Sequence, residues 1–287
     1  MNIETAKRLC KITEDFYQAQ SDSFSETRKA PWTGWSRCLE VLKAEWAQAN
    51  ATKADAAQAG GAKDDAAQAG GTISPPKLSV FDLACGNLRF ELFLKSALVD
   101  TKLICYAVDN CDDLLPSSLL NNPELANVLS LHYQKLDVIQ EMLEGKNISE
   151  LFDAPKCDVA VSFGFMHHVP TFELRKIVLL ALVDQVSPGG YVAVSFWQFL
   201  NNASMASKAQ KTHEKALLEH QIEQLDEGDY LLGWKKIPGV YRYCHHFSDS
   251  EIDELLCSVS DRAQLVSRFV SDGRTDNLNT YLLLKVF

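Results

Sequence analysis

Apolar and polar positions along this chain fall into two regimes. Up to residue 48 they recur at helical spacing, with Leu9, Ile12 and Phe16 in one stripe and Trp35, Leu39, Leu42 and Trp46 in another. Pro31 marks a break between these two predicted helices, at the end of the stretch FYQAQSDSFSETRKAPW. After Lys77, short β-rich apolar runs near 78–83, 103–108, 128–134, 157–163 and 189–196 alternate with helical stretches near 89–98, 112–120, 138–151 and 173–186. That alternation predicts a parallel sheet covered by helices on both faces. A polar helix is predicted over 203–225, followed by a loop, GDYLLGWKKIPGVYRYCHHF, and a helix over 249–257. Two closing strands, near 263–270 and from Asn279 onward, are joined by a short loop and must be antiparallel.

Between the regimes the chain repeats itself: ADAAQAGGAK is followed by DDAAQAGGTI, from Ala54 to Gly71. Small, polar and glycine-rich, this stretch buries too little apolar area to offset the entropy of ordering. The expected organisation is an N-terminal helical cap over 1–48, a flexible insertion over 49–76, and an α/β core over 77–287 with a lid segment at 198–247.

Candidate chemistry begins at the first strand-to-helix turn, VFDLACGNLRF. The apolar run ends at Asp82, turns through Gly86 and Asn87, and enters a helical pattern at Arg89. This is how a nucleotide-binding βαβ unit starts. A pyrophosphate site needs three glycines, and those positions here read Ala84, Gly86 and Arg89. A cofactor without phosphates fits better. S-adenosylmethionine (SAM) is such a cofactor, since its amino-acid end needs one close backbone approach. Asp109, which ends LICYAVD, can accept both ribose hydroxyls, and Asp137, which ends LHYQKLD, can receive the adenine amine or cap a helix. Asn87, Asn110 and Val138, with Ser162, Phe163 and Gly164 at the end of strand four, complete the expected cofactor set.

A mostly parallel sheet with an antiparallel last strand, behind a phosphate-free glycine turn, resembles the class I SAM-dependent methyltransferases over most of Lys77 to Phe287. The resemblance implies a Rossmann-like α/β fold with a seven-stranded sheet. That family usually has glycine where Ala84 and Leu88 stand, and Leu88 is expected to set a side chain near the methionine end of SAM. Four further segments, FYQAQSDSFSETRKAPW, SFGFMHHV, PGGYVAVSFW and RYCHHFS, are similar to the wobble-uridine carboxymethyl tRNA methyltransferases. In those enzymes a T-R-x-x-x-W helix lies over the SAM site, and an R-Y-Y-H-x-F segment lines the substrate side. Thr27, Arg28 and Trp32 match the first pattern; Arg242, Tyr243, His245 and Phe247 match the second, with Cys244 in place of a Tyr. The resemblance implies esterification of a carboxymethyluridine in a tRNA anticodon, and dependence on a small zinc-binding activator subunit.

A carboxylate acceptor is ionised at neutral pH and needs no general base, so the task reduces to orientation by cationic forks. Arg28 and Arg242 are the expected forks, with Tyr243 and His245 as hydrogen-bond donors. Trp32, His167 and His168 are the expected substrate contacts. A hydroxyl or amine acceptor would need a base, for which His167, His168 and His245 are candidates. Each assignment has a structural alternative: Arg28 paired with Glu26 or capping the N-terminal helix, one of the two adjacent histidines as a packed imidazole, Trp32 and Trp35 as core, Lys235 and Lys236 as a solvated pair, Phe163 as the end of a strand.

Composition narrows the rest. At 287 residues and 46% hydrophobic the chain can bury a full core. It contains no run of apolar residues long enough to span a membrane, and its charged N-terminus lacks a signal-peptide core. Eight cysteines without a Cys-x-x-Cys pair predict reduced thiols in a cytoplasmic protein with no metal site. A net charge of −10 gives no long-range pull on nucleic acid. A tRNA acceptor would have to rely on a local rim of Arg28, Lys29, Lys235, Lys236 and Arg242. The alternatives are a methyltransferase for a small carboxylate or hydroxyl metabolite, and an inactive SAM-fold scaffold.

Overall fold

The computed structural model of the protein describes residues 1–59, 77–115, 129–223 and 225–287, with backbone alone over 52–59. Helix α1 (Ile3–Glu26) opens on Asn2, whose side chain accepts from the Thr5 N–H at 2.8 Å. It runs straight through much of the stretch expected to separate two helices, and the break falls at residues 27–32. Helix α2 (Thr33–Ala59) continues past residue 48, where the cap was expected to end. The rest of the expected insertion, from residue 60 to 76, lies outside the described residues.

The core then alternates as expected: β1 (Lys77–Leu83), α3 (Arg89–Ala97), β2 (Lys102–Asp109), β3 (Leu129–Lys135), α4 (Val138–Leu143), β4 (Cys157–Ser162), α5 (Phe172–Asp184) and β5 (Val186–Trp197). The helix expected over 112–120 is described only as one 3₁₀ turn, Asp112–Leu114; the remainder lies outside the described residues, apart from Leu115. The one expected over 138–151 is shorter, with a separate turn at Ile148–Glu150. Helix α6 (Ala203–Glu219), strands β6 (Asp229–Gly233) and β7 (Tyr241–His245), helix α7 (Asp249–Cys257), and strands β8 (Ala263–Ser271) and β9 (Asn279–Val286) complete the chain.

Seven strands form one sheet in the order β3-β2-β1-β4-β5-β9-β8. The first five are parallel, and β9 runs antiparallel to both β5 and β8. Alternate residues of the strands face opposite layers. Phe81, Leu83, Val108, Ala160, Val192 and Leu282 pack with Val138 of α4, Val178 and Leu182 of α5, and Ile252 and Leu255 of α7. Leu78, Val80, Leu103, Cys105, Val161 and Leu283 pack with Trp35, Leu39 and Leu42 of α2 and with Phe90, Phe93 and Leu94 of α3. Each of these large side chains contributes roughly 1.5–3 kcal/mol by leaving water, so the two faces together fix the sheet.

The segment expected as a loop is instead the β6–β7 hairpin. All five residues of β7 are buried, so no alternation of polar and apolar positions betrays the strand. Its Tyr241 and Tyr243 pack with Leu231 of β6, Ala216 of α6, and Leu9 and Ile12 of α1. Helix α1, α6 and the hairpin thus make a small third layer over the C-terminal ends of the parallel strands. Open α/β sheets bind ligands at those ends.

Candidate active site

Between the strand ends and this third layer lies a cavity of about 450 Å³. Its floor is the turn after β1. The N–H groups of Ala84 and Cys85 both donate to the Val108 carbonyl, at 2.8 and 3.1 Å, which ties the turn to β2. Ala84, Gly86 and Leu88 all have positive φ, at 65°, 56° and 59°. Left-handed backbone costs an alanine or leucine roughly 1–2 kcal/mol, so the chain keeps the glycine conformation at two positions without the glycine. The expected intrusion of Leu88 does not occur. Its side chain is buried with Cys85 and Ala107, against Leu131 and Tyr133, and does not line the cavity.

Asp109 Oδ2 accepts from the Gly86 N–H at 2.8 Å and its Oδ1 from the Cys111 N–H at 2.9 Å. Burial pushes the Asp109 carboxyl above the usual range, while these N–H groups pull it down. Asp137 Oδ1 caps α4 by accepting from Gln140 N–H, and Oδ2 accepts from the Asn110 amide at 2.8 Å. The capping alternative is therefore real, and Asp137 still lines the cavity beside Asn110 and Val138. Asp82, Asn87, Phe163 and Gly164 line it too. Ser162 does not: fully buried, its hydroxyl donates to the Leu83 carbonyl at 3.0 Å and ties β4 to β1.

The walls come from the cap. Gly164 has φ 77°, and a Cβ there would meet the Trp32 ring at 2.9 Å, so the indole lies directly on this backbone. Arg89, which would hinder a pyrophosphate, here spans floor and cap. Its Nη1 donates to the Ala30 carbonyl at 2.8 Å, and its guanidinium lies 5.6 and 5.1 Å from the rings of Trp32 and Trp35.

Arg28 and Arg242 meet above the floor. The Arg242 guanidinium is buried among Phe16, Phe24, Trp197 and Trp234, at 5.1 to 5.9 Å from their centroids, and its Nη1 has no hydrogen-bond partner. Arg28 lies 3.5 Å over the Phe24 ring and donates to Thr27 Oγ1, not to Glu26. Among the described residues neither arginine has an ion pair within 4.0 Å. Burial, then the charge of Arg242, lower the Arg28 pKa to about 10. Two buried or half-buried cations with no acid at ion-pairing distance favour an anion beside them. Lys235 joins them on the Trp234 ring at 5.6 Å, so part of the expected basic rim forms; Arg28 is 5.8 Å from the same ring.

His168 is fixed from both sides. Its Nδ1–H donates to the Tyr243 carbonyl at 2.8 Å, leaving Nε2 to accept from the Tyr17 hydroxyl at 2.9 Å. Burial and the nearby Arg242 depress it to about pKa 3, so it stays neutral. His167 and Cys244 approach it closely enough to suggest metal ligation, but His168 has no free nitrogen to offer. His167 is packed between His168 and Trp197, lines the cavity, and leaves Nδ1 unpartnered. Burial, then His168, hold it well below the usual imidazole range.

Two expected residues sit elsewhere. Tyr243 is fully buried on the far side of β7, where its hydroxyl donates to Asp229 Oδ1 at 2.7 Å. His245 is clamped between Asp229 Oδ1 at 2.7 Å and Glu251 Oε2 at 2.6 Å. Arg175 Nε lies 2.9 Å from Glu251 Oε1, an ion pair whose N–H does not point along the contact. Neither Tyr243 nor His245 lines the cavity; Tyr243 ties β7 to β6, and His245 ties the hairpin to Glu251 of α7. Strand alternation explains the split, because Arg242 points into the cavity and Tyr243, its neighbour, away from it. Tyr17, Phe24, Arg89 and Trp234 were not anticipated as site residues. Tyr17 and Phe24, seven residues apart on one helix face, carried a readable signal; Trp234 carried none.

Neither a family model nor a curated protein matches this chain. Solved structures do. A SAM-dependent methyltransferase from Methanosarcina mazei shares 15% identity over 75% of this chain and 94% of its own, with a TM-score of 0.52. The 1,6-didemethyltoxoflavin N1-methyltransferase of Burkholderia thailandensis, solved with 1,6-didemethyltoxoflavin and S-adenosylhomocysteine, shares 15% identity over 90% of this chain and 92% of its own, at a TM-score of 0.46. The seven-stranded order described above and the first of these matches agree: the chain has the Rossmann-like methyltransferase fold.

Proposed function

We propose that the protein is a SAM-dependent methyltransferase whose acceptor is a carboxylate. The carrying observation is the pair of guanidiniums, Arg28 and Arg242, set without an ion-pair partner among the described residues in an aromatic-walled cavity whose floor carries Asp82 and Asp109. SAM fits the floor on the chain's own geometry. Gly86 leaves open space where a Cβ would stand, the turn lacks a pyrophosphate cradle, and Asp109 keeps lone pairs for ribose hydroxyls beyond the two backbone bonds it accepts. When bound, the cofactor would supply an electrophilic methyl on a sulfonium.

The residues of the chain then have distinct tasks. Asp109, Asn110 and Asp137 hold the nucleoside end, and Asp82 faces the amino-acid end. Trp32 and Arg89 close the cavity against water. Arg28 and Arg242 grip the acceptor carboxylate and set one of its oxygens in line with the methyl, which is where most of the rate enhancement arises. No residue has to remove a proton. His167, neutral and unpartnered, favours a second reading in which a small hydroxyl acceptor donates to it. The wobble-uridine resemblance supports delivery of the carboxylate on a tRNA, with Lys235 beside the mouth contacting phosphate, and adds a small activator subunit as partner.

Calorimetric titration with SAM and S-adenosylhomocysteine, then transfer of labelled methyl to tRNA and to small aromatic carboxylates, tests the proposal. Base-labile ester product on either acceptor supports it. Binding without transfer to any carboxylate, with or without an activator, refutes the acceptor class.

A further inference from the structure

The turn between β8 and β9, residues 272–278, reaches the cavity, with Asp272, Gly273 and Leu278 in its lining. Beside it stands the start of α2, where Trp32, Thr33 and Trp35 line the same space. Asp272 joins the two. It is 9% exposed, and its Oδ1 accepts from the Gly34 N–H at 3.0 Å. An N–H in the first turn of a helix has no partner within the helix, so a carboxylate there is favoured twice, by the bond and by the helix dipole. Asp272 Oδ2 accepts from the Asn279 amide at 2.8 Å and from the Tyr281 hydroxyl at 2.5 Å. The Tyr281 ring comes within 2.2 Å of where a Cβ of Gly34 would stand, so the helix start seats here only as glycine. The seat is itself braced. The Asp272 N–H donates to Asp276 Oδ1 at 3.0 Å, and both aspartates keep left-handed backbone, at φ 72° and 53°. Residues other than glycine hold that conformation where surrounding bonds over-determine it, and such strain collects at functional sites. Farther from the cavity, Arg37 pairs with Asp276 at 2.5 Å and donates to the Val270 carbonyl at 2.7 Å.

The Trp32 indole, which lies on Gly164, belongs to the residue two before this anchor, and its carbonyl accepts from the Trp35 N–H at 3.1 Å. Any shift of the helix start therefore carries the indole with it. We propose that Asp272 is a positioning residue for the cofactor: by holding the Gly34 N–H it sets Trp32 down on Gly164 and closes the cavity. This rests on the SAM reading above. The bonds of Asp272 run to protein groups, so it acts through what it holds. Trp35, Leu39 and Leu42 pack α2 against the sheet without its help. What Asp272 decides is the placement of the few residues that lead into the helix.

The test measures Kd for S-adenosylhomocysteine by calorimetry, and its dissociation rate by tryptophan fluorescence, on the full chain. Asp272→Ala should weaken binding by about tenfold, the order of one lost hydrogen bond, through faster dissociation. Because the effect runs through the indole, Trp32→Ala and the double variant Trp32→Ala, Asp272→Ala should bind alike, a non-additivity that a merely stabilising carboxylate would not produce. Arg37→Ala loosens only the outer tie and should lower the melting temperature with Kd unchanged. Should the alanine variant fail to fold, Asp272→Gly removes the carboxylate while keeping the left-handed turn free of strain, and carries the same comparison. An unchanged Kd in the Asp272 variant overturns the inference, as do effects that multiply in the double variant. Failure of the unsubstituted chain to bind S-adenosylhomocysteine overturns the cofactor reading and this inference with it.

Discussion

At the floor of the cavity Asp109 and Asp137 stand at successive strand ends with their oxygens tied to backbone N–H groups and, for Asp137, to the Asn110 amide, whereas at its roof Arg28 and Arg242 stand among aromatic rings with no ion-pair partner among the described residues. The floor satisfies itself. It holds its shape through bonds to the main chain and presents a cofactor with spare lone pairs. The roof is incomplete: a buried cation without a partner is unfavourable until an anion arrives. Stability thus accumulates where the ligand is common to many acceptors, and strain where the acceptor is chosen.

If that contrast holds, Arg242→Ala should have the largest effect, a fall in kcat of about a hundredfold or more, while Kd for SAM barely moves. Because no acid is orphaned by the change, its melting temperature should hold or rise; unfolding would make Arg242 a structural residue. Asp109→Ala inverts the pattern. It strands the N–H groups of Gly86 and Cys111, whose charge-assisted bonds are worth roughly 1.5–3 kcal/mol each, and cofactor affinity by calorimetry should drop by about a hundredfold. Tyr243→Phe sharpens the division within β7: stability to urea should fall by roughly 1–2 kcal/mol, from the Asp229 acceptor left short of a donor, with KM for the acceptor unchanged. Smallest is Ala84→Gly. Relief of the positive φ is partly cancelled by greater freedom of the unfolded chain, so the urea midpoint should rise by an amount equivalent to about 0.5–1 kcal/mol, with m constant.

The same division governs what could be read from the residues alone. Asp82, Gly86, Asp109 and Asp137 were legible because each belongs to a local pattern, an apolar strand followed by a turn. Arg28 and Arg242 were reached through resemblance, and the cavity contains both. Tyr243 and His245 came with them and were misplaced, since motif adjacency says nothing about which face of a strand a residue takes. The hairpin itself was missed because burial on both faces of β7 removes the period-2 signal. Arg89 stands where a pyrophosphate site has its third glycine, and only the fold shows that its partner is the Ala30 carbonyl. Leu88 looked like an intruder because a sequence motif carries no side-chain direction.

Helix α1 has a consequence for how the chain is made. It is synthesised well before its partners: Tyr17 bonds His168, 151 residues on, and Thr13 accepts from the Tyr243 N–H, 230 residues on. During synthesis at roughly 5–20 residues per second, the roof of the cavity has nothing to dock against for many seconds. A nascent chain would acquire its sheet piecemeal but its enclosed pocket only once β7 has emerged, so a ribosome-stalled fragment ending before β7 should remain unable to retain an acceptor.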